Sequence, residues 1–62
     1  MLKAFLATVW PLAPYLSPWA ARCLRESFDH LKAGRRTEAQ AAAMRHPDAI
    51  GVWLAAVREA GL

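Results

Sequence analysis

The stretch from Ser17 to Gly34 constrains the fold of this chain most, because it combines a helix start signal, an amphipathic body and a stop signal. Ser17 can accept a hydrogen bond as the N-cap, and Pro18 suits the first helical position, where its missing N–H is no loss. Gly34 can adopt the left-handed conformation that ends many helices. Apolar residues recur between these signals at spacings of three and four, as in a helix with one buried face: Trp19, Cys23, Leu24, Phe28 and Leu31. We therefore predict a central helix over residues 18–33.

The length of the chain limits the core that can support this helix. Its 62 residues make a single small domain, 1–62, and such a chain buries only about 60% of the surface that its unfolded form exposes. Domains of this size usually add disulfides, a metal or a partner. Cys23 is the only cysteine, which excludes an internal disulfide, and no paired zinc-ligand motif is present. A partner is the remaining stabilising device.

Helical patterns also occur before and after the central segment. Residues 1–10 place an apolar stripe opposite Lys3, and this segment is too short to be helical alone, so we expect it to dock. Residues 37–60 predict a helical hairpin, because Thr37 and Gln40 form a capping-box pattern and Pro47 starts a second helix that Gly61 ends. The hairpin residues expected to face the core are Ala41, Ala42, Met44, Ile50, Trp53, Leu54 and Val57. The predicted fold class is all-α, a small bundle of three to four short helices.

Prolines interrupt the chain after the first helix, and we interpret residues 11–17 as an extended, proline-rich connector. Each proline biases the residue before it away from helical geometry. Residues 4–21 contain no charge, so they also permit a membrane anchor, since 18 helical residues span about 27 Å against a hydrocarbon core of about 30 Å. The prolines handicap such a span. We expect a cytoplasmic protein, with membrane association through residues 4–21 as the alternative.

Catalytic and metal-binding chemistry has little support in the sequence. The soft ligands Cys23, His30 and His46 fit no recurrent metal-ligand spacing. The carboxylates are each explained by solvation or by a position near a helix end, and a few short helices rarely enclose a catalytic pocket. We therefore expect no enzymatic activity, no catalytic residues, no cofactor and no metal site.

The last 26 residues resemble a helix-turn-helix in outline, with a short alanine-rich helix, a tight turn and a longer helix. The turn is Arg45-His46-Pro47 instead of a glycine turn, and the last helix offers few polar side chains for reading bases. A basic cluster lies beside this segment, formed by Lys32, Arg35, Arg36 and Arg45. Arginine side chains match phosphate oxygens well. Nucleic-acid binding is therefore an alternative function.

The aromatic and apolar content favours a binding function. The chain is 56% hydrophobic with three tryptophans, which exceeds what so small a core can hide, and exposed aromatic patches favour association. We predict a non-catalytic protein-binding module that acts stoichiometrically as inhibitor, adaptor or accessory subunit of a larger protein, or that forms a homo-oligomer. The size is compatible with small bacterial or phage-encoded inhibitors, and the net charge of +3 permits an acidic partner. The candidate protein-binding residues are Trp10, Tyr15, Leu16, Trp19, Arg35 and Arg36.

Overall fold

Four α-helices form the fold in the computed structural model, which describes residues 2–62. They are α1 (Leu2–Leu12), α2 (Pro18–Lys32), α3 (Arg36–Ala43) and α4 (Pro47–Ala60), and a 3₁₀ helix at Ala13–Tyr15 follows α1. Packing is mainly between α1 and α4 and between α2 and α3, and α2 also contacts α4. The predicted all-α bundle is confirmed, and no strand occurs within residues 2–62. Met1, which the predicted first helix included, lies outside the described residues.

The predicted ends of α2 are confirmed by their hydrogen bonds. Ser17 is the N-cap, and its Oγ accepts from the N–H of Ala20 at 3.2 Å. Gly34 has a φ of +78°, and the N–H of Arg35 donates to the carbonyl of His30 at 2.9 Å. This pattern closes the helix with a left-handed glycine and a bond that reaches back across the last turn. Local sequence chemistry therefore sets both ends of the central helix.

The predicted span of α4, Pro47 to Ala60, is also confirmed. His46 supplies an N-cap that the sequence analysis missed, because its Nδ1 accepts from the N–H of Asp48 at 3.1 Å. Gly61 has a φ of +70°, and the N–H of Leu62 donates to the carbonyl of Val57 at 3.0 Å. The two longest helices thus end in the same glycine-dependent way.

Two large rings and a set of alanines fill the core. Phe5 of α1 and Trp53 of α4 are 0% and 1% exposed. Five alanines are fully buried around them: Ala20, Ala39, Ala43, Ala49 and Ala56. Since the distance between packed helices depends on the side chains at the contact, alanines let these short helices approach closely. The bundle is therefore held by few large side chains and by close helix contact.

Some residues predicted to face the core are exposed instead. They are Trp19, Ala41, Met44 and Leu54. For Trp19 and Met44 the cause is a rotation of the buried face toward a neighbouring alanine: Ala20 is buried beside Trp19, and Ala43 is buried beside Met44. A hydrophobicity pattern favours the larger side chain of each pair, whereas close helix packing favours the smaller one. Trp53 and Val57 are buried as predicted, and Ile50 is half-buried.

The predicted start of α3 is wrong. The helix begins at Arg36, and Arg35 occupies the N-cap position without a side-chain hydrogen bond, so Thr37 does not form a capping box. Only Ala33, Gly34 and Arg35 lie between α2 and α3, so the closure at Gly34 turns the chain directly into the next helix. The start of α3 is thus set by the end of α2.

The predicted extended connector is also wrong over most of its length. α1 continues through Pro11 to Leu12, and Ala13–Tyr15 form the 3₁₀ helix, so only Leu16 and Ser17 have extended backbone. Pro11 lies in the last turn of α1 and has no N–H to donate to the carbonyl of Ala7. Ala7 is exposed, so the loss of this hydrogen bond costs little. Pro14 lies in the first turn of the 3₁₀ helix, where no N–H is needed.

Two serines of the central helix should respond oppositely to replacement by alanine. Ser17→Ala removes the N-cap bond and should lower the free energy of unfolding by about 1 kcal/mol. Ser27 is fully buried and its Oγ has no partner, so Ser27→Ala should raise the free energy of unfolding by about 1 kcal/mol. Thermal unfolding followed by circular dichroism should show midpoints that move in opposite directions, by roughly 4–8 °C each.

The pair is its own control, because both variants make the same chemical change in one helix. A lower midpoint for Ser27→Ala would contradict the unpaired state of its hydroxyl. An unchanged midpoint for Ser17→Ala would contradict the N-cap.

Candidate protein-binding surface

Three predicted binding residues are the most exposed aromatic side chains of the chain. Trp10, Tyr15 and Trp19 are 78%, 86% and 63% exposed. They come from the end of α1, from the 3₁₀ helix and from the first turn of α2. Trp10 and Trp19 lie in helices that contribute the buried residues Phe5 and Ala20 to the core, and Tyr15 precedes Leu16, which packs against the core cluster. The structure therefore presents these rings to solvent from an ordered support.

Smaller neighbours take the inward positions beside these rings. Val9 and Leu16 pack against the core cluster, and Ala20 is fully buried. Because consecutive helix positions point in different directions, an inward Val9 turns Trp10 outward, and an inward Ala20 does the same to Trp19. Leu16, also predicted as a binding residue, is half-buried and contributes to the core as well as to the surface.

An apolar groove of about 160 Å³ lies between α1 and α2, and we refer to it as the α1/α2 groove. It exists because α1 packs mainly against α4 and α2 mainly against α3. Phe5 and Phe28 stack across it, with ring centroids 6.0 Å apart and planes at 18°. Its lining is apolar apart from one arginine: Phe5, Leu6, Val9, Ala13, Leu16, Ala21, Leu24, Arg25 and Phe28. A second, more open recess lies beside Trp10 against Ala13 and Pro14.

The two predicted arginines, Arg35 and Arg36, have partners inside the chain. The Nε of Arg35 donates to Nδ1 of His30 at 3.2 Å and lies 3.8 Å from a carboxylate oxygen of Glu38. The guanidinium of Arg36 lies 5.9 Å from the centre of the buried Trp53 ring, within the range of a cation–π contact. The structure shows no contact that brings either arginine to the exposed aromatic side chains within residues 2–62. Both arginines therefore already have a role at the junction of α2, α3 and α4.

The other members of the basic cluster are also paired. Arg45 donates from Nη1 to the carboxylate of Glu26 at 2.9 Å, which links the turn after α3 to α2. Lys32 lies 3.7 Å from the carboxylate of Asp29 within α2. Exposed pairs of this kind contribute little to stability, yet they offset the positive charge that nucleic-acid binding would use.

The net charge of the chain resides in the N-terminal segment, residues 2–25. This segment holds three basic residues, Lys3, Arg22 and Arg25, and no carboxylate. The rest of the chain holds five basic and five acidic residues, which balance one another. No ion pair within residues 2–62 involves the three cations of the N-terminal segment. The formal charge of +3 therefore lies on the same segment as the exposed aromatic side chains and the α1/α2 groove.

We compared the chain with family models, with curated proteins and with solved structures. None of the three comparisons gives a match. Among residues 2–62, no helix combines the length and the apolarity needed to cross a membrane. No group of three or more histidine, cysteine, aspartate or glutamate side chains in that range is placed to hold a metal ion, and Cys23 is buried.

Sequence reasoning missed the groove and the place of Arg25 in its lining. None of the lining residues Leu6, Val9, Ala21 and Arg25 is among the binding residues predicted from the sequence. The groove depends on which helices pair, which the hydrophobic pattern does not specify. The uneven distribution of charge along the chain could be predicted from the sequence, because every aspartate and glutamate lies at or after Glu26.

The exposure of Trp10 and Trp19 predicts a clear fluorescence result. Both should be quenched by iodide or acrylamide, whereas the fully buried Trp53 should be protected. The double variant Trp10→Phe, Trp19→Phe should therefore emit at shorter wavelength and lose most of its sensitivity to quencher, with unchanged helicity. The matched single variant Trp53→Phe should keep the quenchable emission. Equal quenching of all three tryptophans would contradict the burial described above.

Proposed function

We propose that this chain is a small, non-catalytic protein-binding module that acts stoichiometrically, as inhibitor, adaptor or accessory subunit of a larger protein. The observation that carries the proposal is the exposure of Trp10, Tyr15 and Trp19 on an ordered helical support. Tryptophan and tyrosine are enriched among the residues that dominate binding energy at interfaces. An ordered support also lowers the entropy lost on binding.

The energetic balance of the exposed rings supports this function. Large apolar surface in water is unfavourable, and this chain leaves three rings exposed while it fills its core with alanines. Burying those rings against a partner would recover free energy that folding alone leaves unused. The α1/α2 groove, which Leu16 lines, offers a partner further apolar surface.

The predicted arginines have a secondary place in this proposal. Arg35 and Arg36 would contact a partner only from a polar rim, since their present contacts are with His30, Glu38 and Trp53. Rim charges affect the rate of association more than the affinity. We therefore assign the affinity to the aromatic residues.

The proposal is tested by the double variant Trp10→Ala, Tyr15→Ala. The tagged protein is recovered from its own cells, and complexes are quantified by native mass spectrometry. We expect a loss of partner or self-association of at least about tenfold, because truncation of an interface aromatic often costs more than 1.4 kcal/mol. Helicity should be unchanged, since both side chains are exposed.

The matched control is Met44→Ala, Leu54→Ala, which removes two exposed apolar side chains from other parts of the surface. This control should bind as the unmodified chain does. If both double variants lose association equally, or if Trp10→Ala, Tyr15→Ala unfolds the chain, the aromatic residues are not the interface. A complex that contains only this chain would identify the partner as a second copy.

A further inference from the structure

We propose that the α1/α2 groove binds an acidic amphipathic helix of the partner protein. The helix would insert one large apolar side chain between α1 and α2 and place carboxylates against Lys3, Arg22 and Arg25. This inference rests on the proposed function, and it adds the position of the site and the chemistry of the partner.

The size of the groove supports a single apolar side chain as its occupant. Its volume is about 160 Å³, and an apolar cavity of about 150 Å³ admits one benzene ring. A leucine or phenylalanine side chain therefore matches the volume of the groove. Phe28, which is half-buried and stacks on the fully buried Phe5, would contact that side chain directly.

The shape of the groove favours a helix as the carrier of that side chain. Two helices border it, and an amphipathic helix binds such grooves by laying its apolar face between the walls. Leu6 and Val9 lie one turn apart on the α1 wall, and Ala21 and Leu24 do the same on the α2 wall. The small side chains Ala13 and Ala21 allow a third helix to come close.

The charge around the groove determines the polar face of the partner. Arg25 lines the groove, and Arg22 lies one turn before it on α2. Lys3 lies one turn before Leu6 on α1. These cations have no ion-pair partner within residues 2–62, so carboxylates on the bound helix would complement them. An anionic lipid surface has the same charge, but a flat layer of headgroups does not match a concave groove.

Two synthetic amphipathic peptides test the inference. Both have roughly 16 residues, long enough to form a helix on binding, and both carry the same stripe of leucine and phenylalanine. One has glutamate on its polar face and the other has lysine. Titrations of the ¹⁵N-labelled chain followed by NMR should give an affinity about tenfold higher for the glutamate peptide, equivalent to ~1.4 kcal/mol. The shifted signals should include Leu6, Ala21 and Phe28, and added salt should weaken binding.

Variants of the chain locate the interaction. Arg25→Glu should remove the preference for the glutamate peptide, whereas Arg58→Glu, at an exposed position of α4 outside the groove, should leave it unchanged. Ala21→Phe should fill the groove and reduce binding of both peptides at least about tenfold, because it occupies the place of the inserted side chain. The thermal midpoint of each variant reports whether it remains folded.

Three results would overturn the inference. The first is equal affinity for the two peptides, and the second is a set of shifted signals that avoids the groove. The third is binding of neither peptide while vesicles containing phosphatidylglycerol shift the groove signals, which would assign the groove to a lipid surface. If the peptides fail but Trp10→Ala, Tyr15→Ala still abolishes partner binding, the proposed function stands and the acidic helix is rejected.

Discussion

Burial of Phe5 and Trp53 against alanine-covered helices is the interaction on which the rest of the structure depends. These are the two largest fully buried side chains; both belong to the core cluster, and they come from α1 and α4, which pack on each other. α1 has only 11 residues, and a helix shorter than about 12 residues is marginal in water without such contacts. Phe5 is the one fully buried residue of α1 among those described, so its burial directs that face of the helix inward, and Trp10 points outward from the same helix.

The parts of the fold that depend on local sequence could be predicted, and those that depend on tertiary packing could not. Helix ends depend on a few neighbouring residues, so Ser17, Gly34 and Pro47 were sufficient to place the boundaries of α2 and the start of α4. The inward faces depend on tertiary packing, and there the preference for alanine contacts turned Trp19 and Met44 to the surface. The proline-rich connector was wrong for a third reason. Pro11 and Pro14 lie near helix ends, where a missing N–H costs few hydrogen bonds, so the prolines did not force residues 11–15 into an extended conformation.

The candidate surface was predictable to a similar degree. Composition predicts that some aromatic rings stay exposed, because their area exceeds what so small a core can hide, but helix packing decides that these include Trp10 and Tyr15 while Trp53 is buried. Arg35 and Arg36 were chosen for their charge, and their contacts with His30, Glu38 and Trp53 could not be derived from the sequence because they join separate helices. The groove required knowledge of which helices pair. Arg25 acquires its place at the groove only from that pairing.

The concentration of net positive charge in residues 2–25 also affects how the molecule rotates before it contacts another molecule. With its net charge in residues 2–25 and a balanced remainder, the chain is an electric dipole. A dipole in the field of a charged neighbour experiences a torque, so rotation during diffusion is biased. Collisions with a negatively charged body would then occur preferentially through the surface that carries Lys3, Arg22 and Arg25, and this bias would shrink as ions shorten the range of the field. Orientation is thereby selected during approach, over distances longer than any side chain can reach.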